Sequence, residues 1–343
     1  MQEATDLTRR GDRAAALQVI QSALSRAGLQ SPPSSSHAAE ADVIDVEARE
    51  VTTEPEPPPS DAKSAWVSGH FTHPAGARDY KLYVPPLLQD RPRSLVVMLH
   101  GCTQNPDDFA AGTRMNDVAR RHNALVLYPA QLSRANAQGC WNWFKHTHQG
   151  ADRGEPAIVA AMTRKVMNAH GVPRGRVFVA GLSAGGAMAA ILGSTHPDLY
   201  AAVGVHSGLA AGAARDLPSA LAAMKHGGRP MPGERVVSPP TIVFHGDADT
   251  VVHPANATHV VTATSTSALR PEQAIAGEKN GRRYTTRVHR DASGMVRAEL
   301  WLLHGAGHAW SGGSTQGSYA DAAGPDASEE MMRFFLQQVR SPG

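Results

Sequence analysis

Arg176-Val-Phe-Val-Ala-Gly-Leu-Ser-Ala-Gly-Gly-Ala-Met188 joins a strand-like run to a helix-like run across a single serine. Val177 to Ala180 is a β-branched and aromatic run of the kind that forms a fully buried strand. Gly181-Leu182-Ser183-Ala184-Gly185 follows without a spacer, and the apolar small-residue run Ala187 to Leu192 reads as a helix. Ser183 therefore sits on a strand-to-helix turn. A serine on such a turn is held in a strained backbone conformation, and side chains two residues either side of it would collide, so Gly181 and Gly185 supply the clearance. In a Gly-rich sequence the pattern G-x-S-x-G is a weak signal by itself, and residues at the other strand ends must support it.

Working outward, Leu95 to Leu99, Ala124 to Tyr128, Ala201 to Val205, Thr241 to Phe244 and Glu299 to Leu303 are further apolar runs of buried parallel-strand type. Helical segments separate them over 107–122, 155–170, 184–196, 217–226 and 326–340. Before them, Trp66 to Thr72 and Arg78 to Val84 alternate around a turn at Pro74-Ala-Gly76, which predicts an opening antiparallel hairpin. The order predicts an α/β fold, a doubly wound and mostly parallel sheet with helices on both faces. Chemistry in such sheets gathers beyond the carboxyl ends of the strands.

Those ends carry Ser183, then His245-Gly-Asp-Ala-Asp249, then His304-Gly-Ala-Gly-His308, so a serine, a carboxylate and a histidine follow in the chain order expected of this fold. A serine hydroxyl needs an imidazole to take its proton, and the imidazole needs a carboxylate to fix its tautomer. This assigns Ser183 as nucleophile, His308 as general base and acid, and Asp249 as the orienting carboxylate. Asp247, directly after Gly246, is the rival for the last role, and there a side chain tends to close the turn. His100, His245 and His304 each precede a glycine at a strand end and read as hydrogen-bonded structural residues. The oxyanion donors read as the Ala184 amide and one from the loop after His100-Gly101, that of Cys102. No H-E-x-x-H or His/Asp cluster suggests a metal, and no cofactor is needed.

Cys102 and Cys140 either bond, which stabilises by about 4 kcal/mol in the chain-entropy model, or stay two buried thiols. Their spacing does not decide between the two. A bond would bring Trp141-Asn-Trp143-Phe144 to the rim of the site. Trp141 and Trp143 then either bind an apolar acyl or polymer segment or simply pack, whereas Trp310, two residues after His308, reads as a residue of the site.

A chain of 343 residues accommodates one large α/β domain and an appendage. The net charge of +2, with Lys and Arg dispersed, gives no argument for a nucleic-acid partner. No apolar run approaches the roughly 18 residues of a membrane span, so no transmembrane segment is expected. Residues 1–30 carry Leu7, Ala14, Leu17, Ile20, Leu24 and Ala27 at helical spacing, an amphipathic segment. Its apolar face would dock on the main domain, on a second copy, or on a surface such as a polymer granule. Residues 31–63 hold eight acidic residues against two basic and are rich in Pro and Ser, which reads as a disordered linker. The main domain is expected over 64–343. The first thirty residues lack the features of a secretory signal peptide, which points to the cytoplasm or a non-standard export route.

Leu99-His-Gly-Cys-Thr-Gln104, Gly139-Cys-Trp-Asn-Trp-Phe144, the elbow stretch Ala180 to Met188, Val205-His-Ser-Gly208, Phe244-His-Gly-Asp-Ala-Asp249 and His304 to Gly313 together resemble the poly(3-hydroxybutyrate) depolymerase family of serine esterases. The family is related to feruloyl and acetylxylan esterases, and the resemblance runs from about Ser64 to Leu336. It implies an α/β-hydrolase fold and Ser183, Asp249 and His308 as the triad. It also implies an oxyanion hole at the Cys102 and Ala184 amides, a paired Cys102 and a secreted enzyme. The implied substrate is a polyester or its oligomers, or short-chain esters, with a polymer surface or granule as partner. Feruloyl or acetyl groups on polysaccharide are the alternative. A non-catalytic granule-binding protein is the reading from another class, and an intact triad argues against it.

Overall fold

Strands covered on both faces are predominantly apolar, and such runs build the centre of the sheet. The computed structural model describes residues 64–87, 93–228, 238–264 and 268–340. The segment expected over 1–30 and the linker expected over 31–63 lie outside the described residues. An antiparallel hairpin, β1 (Ala65–His73) and β2 (Gly76–Val84), opens the sheet. The central strands are β3 (Ser94–Leu99), β4 (Ala124–Pro129), β5 (Val177–Leu182), β6 (Ala202–His206) and β7 (Thr241–Gly246), every residue of them buried. Two short strands, β8 (Arg270–Pro271) and β9 (Ile275–Lys279), precede β10 (Arg282–Arg290) and β11 (Val296–Leu303). The order across the sheet is β1-β2-β4-β3-β5-β6-β7-β11-β10-β8, with β9 on β10. From β4 to β11 every neighbour is parallel. The register aligns Leu99 with Gly181, Leu182 with His206, His206 with Phe244 and Leu303 with Gly246, so the residues that follow these strands emerge along one edge.

Alternate strand residues feed two cores. Val97, Val179, Val203 and Val243 face α3 (Gly154–Ala169), α4 (Ala184–Thr195), α5 (Leu217–His226) and α6 (Ala255–Thr262). Met98, Phe178, Ala202 and Phe244 face α1 (Pro106–Thr113), α2 (Met115–Arg121) and α7 (Ala327–Gln337), where Phe178 stacks on Phe335 at 4.9 Å. Among the described residues no helix is long and apolar enough to cross a membrane.

Three differences from the expected elements have physical causes. The helix expected over 107–122 is broken at Arg114, which takes a left-handed conformation (φ 51°, ψ 24°) and pairs with Asp326 at 3.0 Å. Helix α6 is short and carries only four buried residues, a weak periodic signal. The sheet continues past β11 through β10, β9 and β8, which are largely polar strands.

Candidate active site

Ser183 closes β5 with φ 56° and ψ −120°, a region that costs a side-chain-bearing residue on the order of 1–3 kcal/mol. The turn is tight enough that a Cβ on Gly185 would lie 2.0 Å from the Leu99 carbonyl oxygen, and one on Gly181 would lie 2.4 Å from the Gly185 backbone. Both positions exclude every other residue type. The Ser183 N–H donates to His206 O at 2.9 Å, tying the elbow to β6. Its hydroxyl makes no capping bond to α4.

Asp249 and His308 meet in a bond of 2.7 Å between Oδ2 and Nδ1, both side chains buried. The second carboxylate oxygen, Oδ1, accepts the N–H groups of Val251 at 2.9 Å and Val252 at 2.8 Å. His245 shares its Nε2–H between Val252 O at 2.8 Å and Asp249 Oδ2 at 3.4 Å, the shorter contact being the main bond. Burial alone would raise the Asp249 pKa, but the bonds from His245 and His308 outweigh it and hold the carboxyl far below the usual range. Asp247 instead bonds His304 Nδ1 at 2.8 Å and the Gly305 N–H at 2.7 Å, closing the turn, while His304 Nε2 meets Thr285 Oγ1 at 2.8 Å. His100 is also internally satisfied: Nδ1 donates to Gly101 O at 2.8 Å and Nε2 accepts the Gln131 N–H at 3.1 Å.

The loop after β3 lies over the elbow, since a Cβ on Gly101 would come within 3.7 Å of Ser183 Cβ. In that loop the Gly101 N–H donates to Gln104 Oε1 at 2.9 Å and the Thr103 N–H to Gln138 O at 2.7 Å. The Cys102 amide lies between these two bonded N–H groups. Ala184 opens α4, where the first N–H groups have no intrahelical partner. Cys102 is bonded to Cys140, with Cα atoms 4.2 Å apart, so the loop is anchored to the 139–144 segment. Among the described residues no group of three or more His, Cys, Asp or Glu could hold a metal ion.

The aromatic residues require a correction. Trp141, Trp143 and Trp310 are 0%, 5% and 1% exposed, so they pack rather than offer a face to substrate. Trp310 sits edge-on to Phe109 and donates from Nε1 to Ser328 Oγ at 3.1 Å, and Trp141 packs against the His100 ring. Trp141 and Trp143 belong to one core and Trp310 to the other, which no linear spacing announces.

Glu155 was also hidden from sequence reading, because a Glu in the first turn of an amphipathic helix ordinarily faces water. Here it is buried and collects Arg78 at 3.1 Å, Gln131 Nε2 at 2.5 Å, the Asn142 N–H at 2.7 Å and Asn142 Nδ2 at 2.8 Å. Gln131 also bonds Cys140 O at 2.9 Å, so this carboxylate braces the segment joined to the Cys102 loop. Burial would raise its pKa, but His148, Gln131 and Asn142 together hold it below the usual value. A depressed pKa contributes stability above the unfolded-state value and loses it as pH falls through the folded one. Glu155→Gln is therefore expected to destabilise by about 3–5 kcal/mol at pH 7, because Arg78 stays buried without its partner. The gap to the native protein should narrow as pH drops below about 4.5, the ordinary glutamate value. Chemical denaturation at several pH values reads both effects, and a gap independent of pH would contradict them.

The sequence profile of the family described as Esterase PHB depolymerase matches residues 78–282. A poly(3-hydroxyalkanoate) depolymerase C from Paucimonas lemoignei is 28% identical over 255 residues, 71% of this chain and 60% of that protein. A feruloyl esterase B from Neurospora crassa is 28% identical over 205 residues, 55% of this chain and 69% of that protein. A probable acetylxylan esterase A from Aspergillus clavatus is 28% identical over 195 residues, 51% of this chain and 61% of that protein. The matched region thus spans about 60% of the length of the depolymerase and of the acetylxylan esterase. Among solved structures, the acetyl xylan esterase from Aspergillus awamori superposes with a TM-score of 0.59 at 22% identity, covering 72% of this chain and 94% of that one, and shares the α/β-hydrolase fold.

Proposed function

The chain belongs to the esterase PHB depolymerase family, and from that premise we propose that it hydrolyses carboxylic esters through an acyl-enzyme on Ser183. Ser183 Oγ attacks the ester carbonyl carbon as its proton passes to His308 Nε2. The negative charge that develops on the carbonyl oxygen meets the N–H groups of Cys102 and Ala184, donors worth about 3–4 kcal/mol each in such sites. Collapse of the tetrahedral intermediate breaks the C–O bond, and the departing alcohol takes the proton from His308. Water then gives a proton to His308 and attacks the acyl carbon, which releases the acid and restores the Ser183 hydroxyl. Asp249 keeps the proton on Nδ1, so that Nε2 is free to act as base.

The observation that carries this reading is the buried 2.7 Å bond between Asp249 and His308, on the loops that follow β7 and β11 at the sheet edge where the strained serine turn leaves β5. Poly(3-hydroxybutyrate)-type polyester or its oligomers are the proposed substrates, supported by the family and by the Paucimonas lemoignei relative. Esters on polysaccharide are the second reading, supported by the feruloyl and acetylxylan esterases of similar identity. Initial rates on 3-hydroxybutyrate oligomers and on methyl ferulate separate the two. Faster turnover of the oligomers is expected, and preference for the ferulate would reverse the order.

A further inference from the structure

Val205-His-Ser-Gly208 takes no part in the steps above, yet its histidine joins their two halves. His206 is fully buried. Its backbone oxygen accepts the Ser183 N–H at 2.9 Å, and its ring Nε2 accepts the N–H of Ser311 at 3.1 Å, three residues after His308. An amide N–H only donates, so Nε2 carries no proton and the ring hydrogen lies on Nδ1, 3.1 Å from Ser207 Oγ. The ring is held between Phe244, at 5.7 Å and 12°, and Trp310, at 5.2 Å and 25°. Burial, with His245 and His308 nearby, lowers its pKa to about 3, so the neutral acceptor form persists at neutral pH. A phenyl ring would fill the same sandwich without the desolvation cost of imidazole nitrogens, so packing alone does not call for histidine here.

We infer that His206 is a positioning residue which, through its backbone oxygen on one side and ring Nε2 on the other, fixes the spacing of the Ser183 hydroxyl and the His308 imidazole. This rests on the roles given to Ser183 and His308 above. Displacement of a reacting group by about 1 Å costs on the order of 100-fold in rate, which sets the size of the effect.

The test compares His206→Gln with His206→Asn in the full chain, using p-nitrophenyl butyrate. The Gln side chain places a carbonyl oxygen near the Nε2 position and keeps an acceptor for Ser311, whereas the shorter Asn reaches only the Nδ1 position. His206→Gln should stay within about fivefold of native kcat and His206→Asn should fall about 100-fold, with KM within about twofold in both. Equal kcat in the two variants, or a loss carried mainly by KM, would overturn the inference. Ring ¹⁵N shifts of the native protein give a second reading that needs no variant: an unprotonated Nε2 is expected, and a protonated one rules the clamp out. Native protein without Ser183-dependent turnover would instead remove the hydrolase reading itself, a result told apart by Ser183→Ala run alongside.

Discussion

Ser183→Ala and His308→Ala should each lower kcat by about 10⁵-fold or more, and the double variant should lose no more than the worse of the two. The two groups act as one unit: the hydroxyl is not nucleophilic until an imidazole takes its proton, and that imidazole has no task without the hydroxyl. Losses that repeat one another are the signature of that coupling. A residual rate about 10³–10⁴ above that in water should survive, supplied by the oxyanion donors and by substrate binding. Folding should survive in Ser183→Ala, whose hydroxyl makes no capping bond to α4. In His308→Ala the buried Asp249 keeps the Val251 and Val252 N–H groups and His245 but loses one partner, which should lower the melting temperature without unfolding the protein. Kinetics on a p-nitrophenyl ester with parallel thermal melts read all of this. Losses that multiply in the double variant would mean that the residues act separately.

Asp249→Asn should cost about 10⁴-fold in kcat while leaving the fold in place. Oδ1 accepts the N–H groups of Val251 and Val252, so the carbonyl of an asparagine amide must take that position. Its NH₂ then replaces Oδ2, 2.7 Å from His308 Nδ1, and a donor facing that nitrogen forces the proton onto Nε2. A protonated Nε2 cannot accept a proton from Ser183. Steady-state kinetics together with imidazole ¹⁵N shifts test the tautomer directly. A variant within tenfold of native activity would show that Asp249 does not orient the base.

Much of the fold was legible because buried parallel strands are predominantly apolar. Val177 to Ala180 and Thr241 to Phe244 announce themselves for that reason. The elbow was legible because Gly181 and Gly185 are demanded by backbone contacts too close for any Cβ. The polar extension was harder to read: β10 places Arg, Thr and His residues along a half-exposed strand, so burial leaves no mark on its composition. A signal was present in Asn280-Gly281, both at positive φ in the turn between β9 and β10. The indoles of Trp141 and Trp310 illustrate a different limit. Proximity to a site along the sequence says nothing about which face of a loop turns inward. For His206 the motif was visible, but its place between two loops depends on a bond to Ser311, 105 residues away.

Reaction with a fluorophosphonate, followed by intact mass and peptide mapping, reports whether Ser183 is an activated nucleophile without assuming a substrate. Stoichiometric labelling of the native protein at Ser183 is expected, with labelling slowed at least about 10³-fold in folded His308→Gln, which lacks the base. A native protein that stays unlabelled, or a His308→Gln variant that reacts at the native rate, would contradict it.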